Sequence, residues 1–358
     1  MKTAFRIAVA LGAVFTVFMV IGVFIAGWER PPMVSKQIGY RGLGMEQITN
    51  PRLAGKTLAS NQVPELIDPA PPGGRPAREA YTNVQVLGDL TEDQFNRIMV
   101  AITAWVSPEQ GCGYCHNLEN LADDVPHKVV ARRMFQMTKH LNQDWTTHVA
   151  QTGVTCYTCH RGKPLPAGIW FPGDRDGPAK GMAGYDGGQN HPSPAAALAS
   201  LPLDPFTGVL DGTGEARVVG KTALPTGKGI GASIQKTEHT YALMMHISNA
   251  LGVNCTYCHN SRAFLAWDQS VPTRATAFYG IRMVRYLNNN FLTPLRPAYE
   301  PARLGPQGQA PQLNCVTCHH GQPKPLGGAQ MLKDYPELNA AILTPVPGAG
   351  PAPAPASQ

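Results

Sequence analysis

Cys156-Tyr-Thr-Cys-His160 and Cys315-Val-Thr-Cys-His319 each set two thiols three residues apart and put an imidazole directly after the second. The spacing recurs in Cys112-Gly-Tyr-Cys-His116 and Cys255-Thr-Tyr-Cys-His259, and the four copies use all 8 cysteines of the 358-residue chain. Cys-x-x-Cys-His is the attachment signature of c-type haem: the thiols add across the porphyrin vinyl groups and the histidine lies under the iron. A disulfide framework has no use for a histidine after every second cysteine. A zinc ribbon pairs two knuckles and leaves the histidines idle, and a thioredoxin-like dithiol occurs once per domain. The spacing therefore predicts four covalently bound haem c groups. They are held by Cys112, Cys115, Cys156, Cys159, Cys255, Cys258, Cys315 and Cys318, with His116, His160, His259 and His319 as proximal ligands.

The motifs are of two kinds. Cys112-Gly-Tyr-Cys-His-Asn117 matches Cys255-Thr-Tyr-Cys-His-Asn260, and the run Cys156 to Pro166 matches the run Cys315 to Pro325. The order A-B-A-B predicts a duplicated two-haem unit, at 89–168 and 236–328. Helical signals precede the motifs. Thr91-Glu-Asp-Gln94 is a capping box before Phe95, Ile98, Met99, Ile102 and Trp105. Pro126 opens a helix carrying Val130, Met134, Met137 and Leu141. Tyr241, Met244, Ile247, Ser248 and Leu251 mark a third helix stopped by Gly252, and Pro272 opens a fourth that runs to about Asn290.

Around these units, residues 1–28 read as a membrane anchor, 29–88 as an extended segment, 169–235 as a Gly/Pro-rich connector and 329–358 as a C-terminal segment. The connector, most irregular over 171–231, is expected to lie across the surface of both units, and 344–358 is a Pro/Ala tail expected to be disordered. The expected fold is mainly α: an irregular multihaem cytochrome c of helix–turn–motif units, long Gly/Pro-rich connections and one transmembrane helix. With 37 Gly and 33 Pro, a long coiled coil or strand-rich barrel is excluded, while 43% hydrophobic content excludes wholesale disorder. The net charge of +6 is mild and points to no nucleic acid.

Residues 7–28 carry no charge, and as a helix they reach roughly 33 Å, enough for a bilayer core. Lys2 and Arg6 precede them, so the N-terminus is expected in the cytoplasm of a single-pass protein of the inner membrane, with the remainder periplasmic. The run is longer than a signal-peptide core and ends without an A-x-A site, and no cysteine before Cys112 allows a lipoprotein anchor.

An electron-transfer haem needs a sixth ligand; methionine raises its potential and histidine leaves it lower. Met99, Met134 and Met244 occupy comparable places on helices ahead of three motifs. For the fourth haem the internal repeat taken alone nominates Met283, because Arg282-Met283-Val284 mirrors Arg133-Met134-Phe135. His127, His140, His148, His191, His239, His246 and His320 also remain, and spacing does not choose among them.

Over roughly residues 37–330 the chain resembles the tetrahaem cytochrome subunit of the purple-bacterial photosynthetic reaction centre. The carriers are the four motifs, their order, Gln37-Ile-Gly-Tyr-Arg-Gly-Leu-Gly-Met45 and Gly280-Ile-Arg-Met-Val284. The resemblance implies three His/Met haems, with Met99, Met134 and Met244 as sixth ligands, and one His/His haem in which His148 partners His319. Met283 then becomes core packing. It also implies an electron-transfer subunit rather than an enzyme. Such a subunit docks on the reaction-centre L and M subunits, is reduced by a soluble periplasmic donor (a basic cytochrome c2-type protein or a high-potential iron–sulfur protein) and re-reduces the photo-oxidised special pair. The Cys255/Cys258 haem would lie nearest that pair and the Cys112/Cys115 haem farthest. A membrane-anchored multihaem quinol dehydrogenase feeding a periplasmic reductase is the alternative, though such proteins pack their motifs into a shorter chain without this connector.

The charge pattern marks a donor face independently. Between residues 89 and 126 seven acids stand against the single base Arg97. Residues 127–166 and 239–319 are net basic. An acidic surface steers a basic carrier, with Glu109, Glu119, Asp123 and Asp124 the expected contacts.

Overall fold

The computed structural model describes residues 2–27, 32–37, 45–173, 190–216 and 234–339. Most of the 37–45 segment, much of the connector and the Pro/Ala tail lie outside these described residues. In chain order the elements are α1 (Lys2–Gly27), β1 (Val34–Gln37), β2 (Glu46–Thr49), α2 (Pro51–Ala59), α3 (Ala77–Ala80), α4 (Glu92–Val106), α5 (Pro126–Asp144), α6 (Thr146–Val149) and α7 (Cys156–His160). There follow β3 (His191–Pro192), β4 (Ser200–Leu201), α8 (Ile234–Leu251), α9 (Thr273–Leu287), α10 (Cys315–His319) and α11 (Met331–Asp334). The protein is mostly helical; β1 pairs antiparallel with β2 and β3 with β4, each as a two-stranded ribbon.

α1 is apolar from Lys2 to Ile25, with mean hydropathy 2.7 and none of that stretch buried. This is the length and composition of a membrane span. α4 starts at the expected box: Gln94 N–H donates to Thr91 Oγ1, and Thr91 N–H donates to Gln94 Oε1. Its Ile98, Ala101 and Trp105 are buried, while Met99 and Ile102 line a large cavity. α5 has Pro126 in its first turn, where the missing N–H costs nothing. α8 ends at Gly252, whose φ of 64° suits a residue without Cβ. α9 follows Pro272 and runs on into a π turn, Asn288–Leu292.

The motifs adopt two conformations. Those at Cys112 and Cys255 fall in 3-10 turns, Gly111–Tyr114 and Cys255–Tyr257. Those at Cys156 and Cys315 form α7 and α10, which end at left-handed Arg161 and His320. The next residue then ties each motif helix to a long one. Gly162 N–H donates to Trp105 O on α4, and Gly321 N–H donates to Ala250 O on α8, both at 2.8 Å.

One apolar cluster draws Met137 and Leu141 from α5, Trp145 from the α5–α6 junction, Leu243 and Ile247 from α8, and Met283, Val284 and Leu287 from α9. A second joins Ile98 and Trp105 of α4 to Met331, Tyr335 and Leu338 near the C-terminus. The connector departs from expectation: Phe206 and Leu210 are buried in the first cluster rather than laid on the surface. Asp204 Oδ1 accepts the N–H groups of Phe206 and Thr207 and closes a turn that sets Phe206 against Trp170, ring centres 5.1 Å apart. Asn288 Nδ2 then satisfies Leu210 O, so the buried loop backbone is paired. Arg97, the single base of the acidic stretch, does not reach the surface. It is buried, pairs with Glu337 and lies over the Tyr335 ring.

Candidate functional site

Each motif histidine donates its Nδ1 proton to a backbone carbonyl a few residues on. His116 reaches Leu121 O at 3.4 Å and His259 reaches Phe264 O at 2.8 Å, five residues ahead in both cases. His160 reaches Lys163 O and His319 reaches Gln322 O, each at 2.9 Å and three residues ahead. A carbonyl accepts only, so the bond fixes the tautomer and leaves Nε2 with its lone pair, the arrangement usual for metal-bound histidine.

Local sequence builds these bonds. After His116, Asn117 Oδ1 accepts from Glu119 N–H, and after His259, Asn260 Oδ1 accepts from Arg262 N–H; these Asx turns curl the chain towards the ring. In the other two motifs the left-handed residue and the following glycine do the same within three residues. Gly162 and Gly321 have φ of 76° and 80°. The repeated Asn and Gly after the histidines carried this information in the sequence.

One cavity of about 1500 Å³ brings together Met99, Met134, His148, His116, His160 and His319 with Cys112, Cys115, Cys156, Cys159, Cys258, Cys315 and Cys318. It exceeds the roughly 300–1,000 Å³ of a site for one small ligand. Met283 lines it too and is buried at 8% exposure. Met244, Cys255 and His259 are not part of this lining: Met244 packs beside the central apolar cluster, and His259 stacks on Phe264 with ring centres 4.3 Å apart.

His148, on the one-turn α6, faces His319 with ring centres 6.0 Å apart. Metal–nitrogen bonds of about 2 Å on each side of an ion would place two imidazole centres about 6 Å apart, the separation found here. Burial holds His148, His160 and His259 below the ordinary imidazole value. It pushes His319 down to about 4, with His148 nearby adding to the shift. Neutral rings are what ligation requires.

The thiols point away from a thiolate-bound ion. Burial pushes Cys156 and Cys315 up to about 12 and Cys115 up to about 11. Among the described residues no group of three or more His, Cys, Asp or Glu is placed to hold a metal ion. Cys159 and Cys318 are joined in a disulfide, Cα atoms 4.4 Å apart, so the second thiols of two motifs meet across the α7–α10 contact.

Two features of the site were not read from sequence. Thr276 O accepts from His148 Nδ1 at 2.9 Å, and Gly280 lies directly beneath the same ring.

Cys-x-x-Cys-His segments with carbonyl-anchored imidazoles, on a mostly helical frame, define a c-type cytochrome. Residues 29–339 match the family model described as photosynthetic reaction centre cytochrome C subunit, and the chain belongs to that family. It is 51% identical over 327 residues to the photosynthetic reaction center cytochrome c subunit of Rubrivivax gelatinosus, covering 91% of this chain and 89% of the relative. The corresponding subunit of Thermochromatium tepidum is 48% identical over 339 residues, 94% of this chain and 83% of the relative. That of Roseobacter denitrificans is 44% identical over 322 residues, 85% of each. The protein is thus an electron-transfer component of the photosynthetic reaction centre, membrane-associated through that complex, with covalently bound haem c and one apolar N-terminal helix.

Proposed function

We propose that the chain carries four haem c groups in two duplicated units, takes electrons from a soluble periplasmic donor and re-reduces the photo-oxidised special pair beside the L and M subunits. The observation that carries this reading is the repeated anchoring of the four motif imidazoles, five, three, five and three residues ahead, in the order A-B-A-B. When bound, each haem iron supplies a reversible one-electron change. Met99, Met134 and Met244 would hold the irons of three of them, and His148 together with His319 that of the fourth. Cys159 and Cys318 form thioethers, each to its own porphyrin, in place of the disulfide. α1 holds the chain in the inner membrane with Lys2 and Arg6 in the cytoplasm.

The donor docks beside Cys112. Leu118, Leu121, Glu109 and Glu119, from the stretch around Cys112, are all exposed. Other acids of the stretch have partners. Asp124 is held by Asn83 and Arg132, Asp123 accepts from Asn117 and Asn120, Glu92 pairs with Arg75, and Asp89 pairs with Arg78.

A pyridine haemochrome assay against protein mass tests the haem number. Fewer than four per chain overturns the reading. A flash-induced difference spectrum of membranes with the gene deleted and restored tests the role: restoration must bring back re-reduction of the special pair.

A further inference from the structure

His148 and Gly280 sit on different halves of the chain, yet the ring of one occupies the space that the other leaves open. A Cβ built on Gly280 would lie 2.5 Å from His148 Cε1, 2.9 Å from Nδ1 and 3.2 Å from Nε2. Real side chains do not pack that closely, so any other residue at 280 has to displace the imidazole. The ring has little freedom to yield, because Nδ1 donates to Thr276 O one helical turn earlier on the same face of α9. α6 offers it little slack: Trp145 and Val149 on either side are buried in the central cluster, and Ala150 ends the turn with φ 49°. A glycine inside a helix is unfavourable relative to alanine, so its place in the middle of α9 calls for a local reason, and the His148 ring supplies one.

We propose that Gly280 is a positioning residue for the His148 imidazole. α9 supplies both the carbonyl that orients the ring and the gap that admits it, so the distal side of the fourth haem is set by a helix of the other half. This rests on the reading of His148 as the partner of His319. Outer contacts of this kind fix the tautomer and rotation of a ligand and tune the metal.

The test uses the full-length, haem-loaded protein. Gly280→Ala should change the low-spin EPR signal and the reduction potential of one haem and leave the other three where they were. His148→Met, run in parallel, should move the same haem. If His148→Met moves one haem and Gly280→Ala moves none, the positioning role is overturned and the ligand reading stands. If neither moves any haem, both are overturned. Should Gly280→Ala alone fail to accumulate, the same change in a His148→Ala background meets no ring. Recovery of folded protein there supports the proposal, and continued failure shows that Gly280 serves helix packing alone and overturns it.

Discussion

Arg97 and Glu337, 240 residues apart, meet in the interior with Nη1 3.3 Å from Oε1 and both side chains about 5% exposed. Arg97 also donates to the carbonyls of Ile67, Asp68 and Asp334, and its guanidinium lies 4.2 Å from the centre of the Tyr335 ring. The end of the described chain is thereby clamped to α4, the helix that carries Met99. Removing one partner strands a buried charge. Glu337→Ala should therefore destabilise the protein by about 3 kcal/mol or more, seen as a lowered melting temperature. Glu337→Gln, which keeps an acceptor, should cost less.

The ligand assignments separate by potential. Histidine in the sixth position leaves a haem at lower potential than methionine does. Met99→His, Met134→His and Met244→His should each lower one potential in a spectroelectrochemical titration, and His148→Met should raise one. If Met283→Leu alters a haem spectrum while His148→Leu alters none, Met283 is the fourth sixth ligand.

The local parts of this molecule were legible in the sequence and the long-range parts were not. Thr91 and Gln94 announce the start of α4 because a capping box closes within four residues. Gly252 and Pro272 likewise punctuate α8 and α9 where expected. The Cys-x-x-Cys-His spacings are local in the same way. Phe206 was not legible, because its burial depends on Trp170 and on the turn closed by Asp204. The burial of Arg97 was not legible either, because its acidic partner lies 240 residues on. The fit of His148 to Gly280 spans both halves, and periodicity is blind to that distance.

Stability should fall on mild acidification through His140. Its ring is buried against Tyr286, centres 4.9 Å apart, while Nδ1 lies 2.5 Å from Asp144 Oδ2. Burial lowers its pKa from 6.5, and Asp144 only partly opposes this. The unfolded chain therefore binds a proton more readily than the folded one. The contribution is fully present above 6.5 and is lost as the pH falls through the depressed folded value. His140→Phe should flatten the dependence of melting temperature on pH below 6.5.

Charge reversal at the donor face should act on rate. Glu109→Lys with Glu119→Lys should slow second-order reduction several-fold at low ionic strength and flatten its salt dependence, because steering acts on encounter. Asp124→Lys should show itself mainly in stability, since that carboxylate is held by Asn83 and Arg132, which keep it below the ordinary carboxylate range. Equal slowing by reversals at Arg282 or Arg296 would place the dock on another face.

The Cys159–Cys318 bond and haem attachment are mutually exclusive, since a sulfur in a disulfide has no valence left for a vinyl carbon. The two second thiols sit where α7 and α10 touch, and both line the cavity. Thioethers survive reductants that open disulfides. After denaturation with a thiol reductant and alkylation, peptides containing Cys156–His160 and Cys315–His319 should each keep one haem mass, and neither Cys159 nor Cys318 should take up the alkylating reagent. Alkylation of those two cysteines only after reduction, together with a Cys159–Cys318 cross-linked peptide before it, would mean that the second and fourth motifs carry at most single-thioether haems. The cytochrome would then fall short of eight thioether bonds.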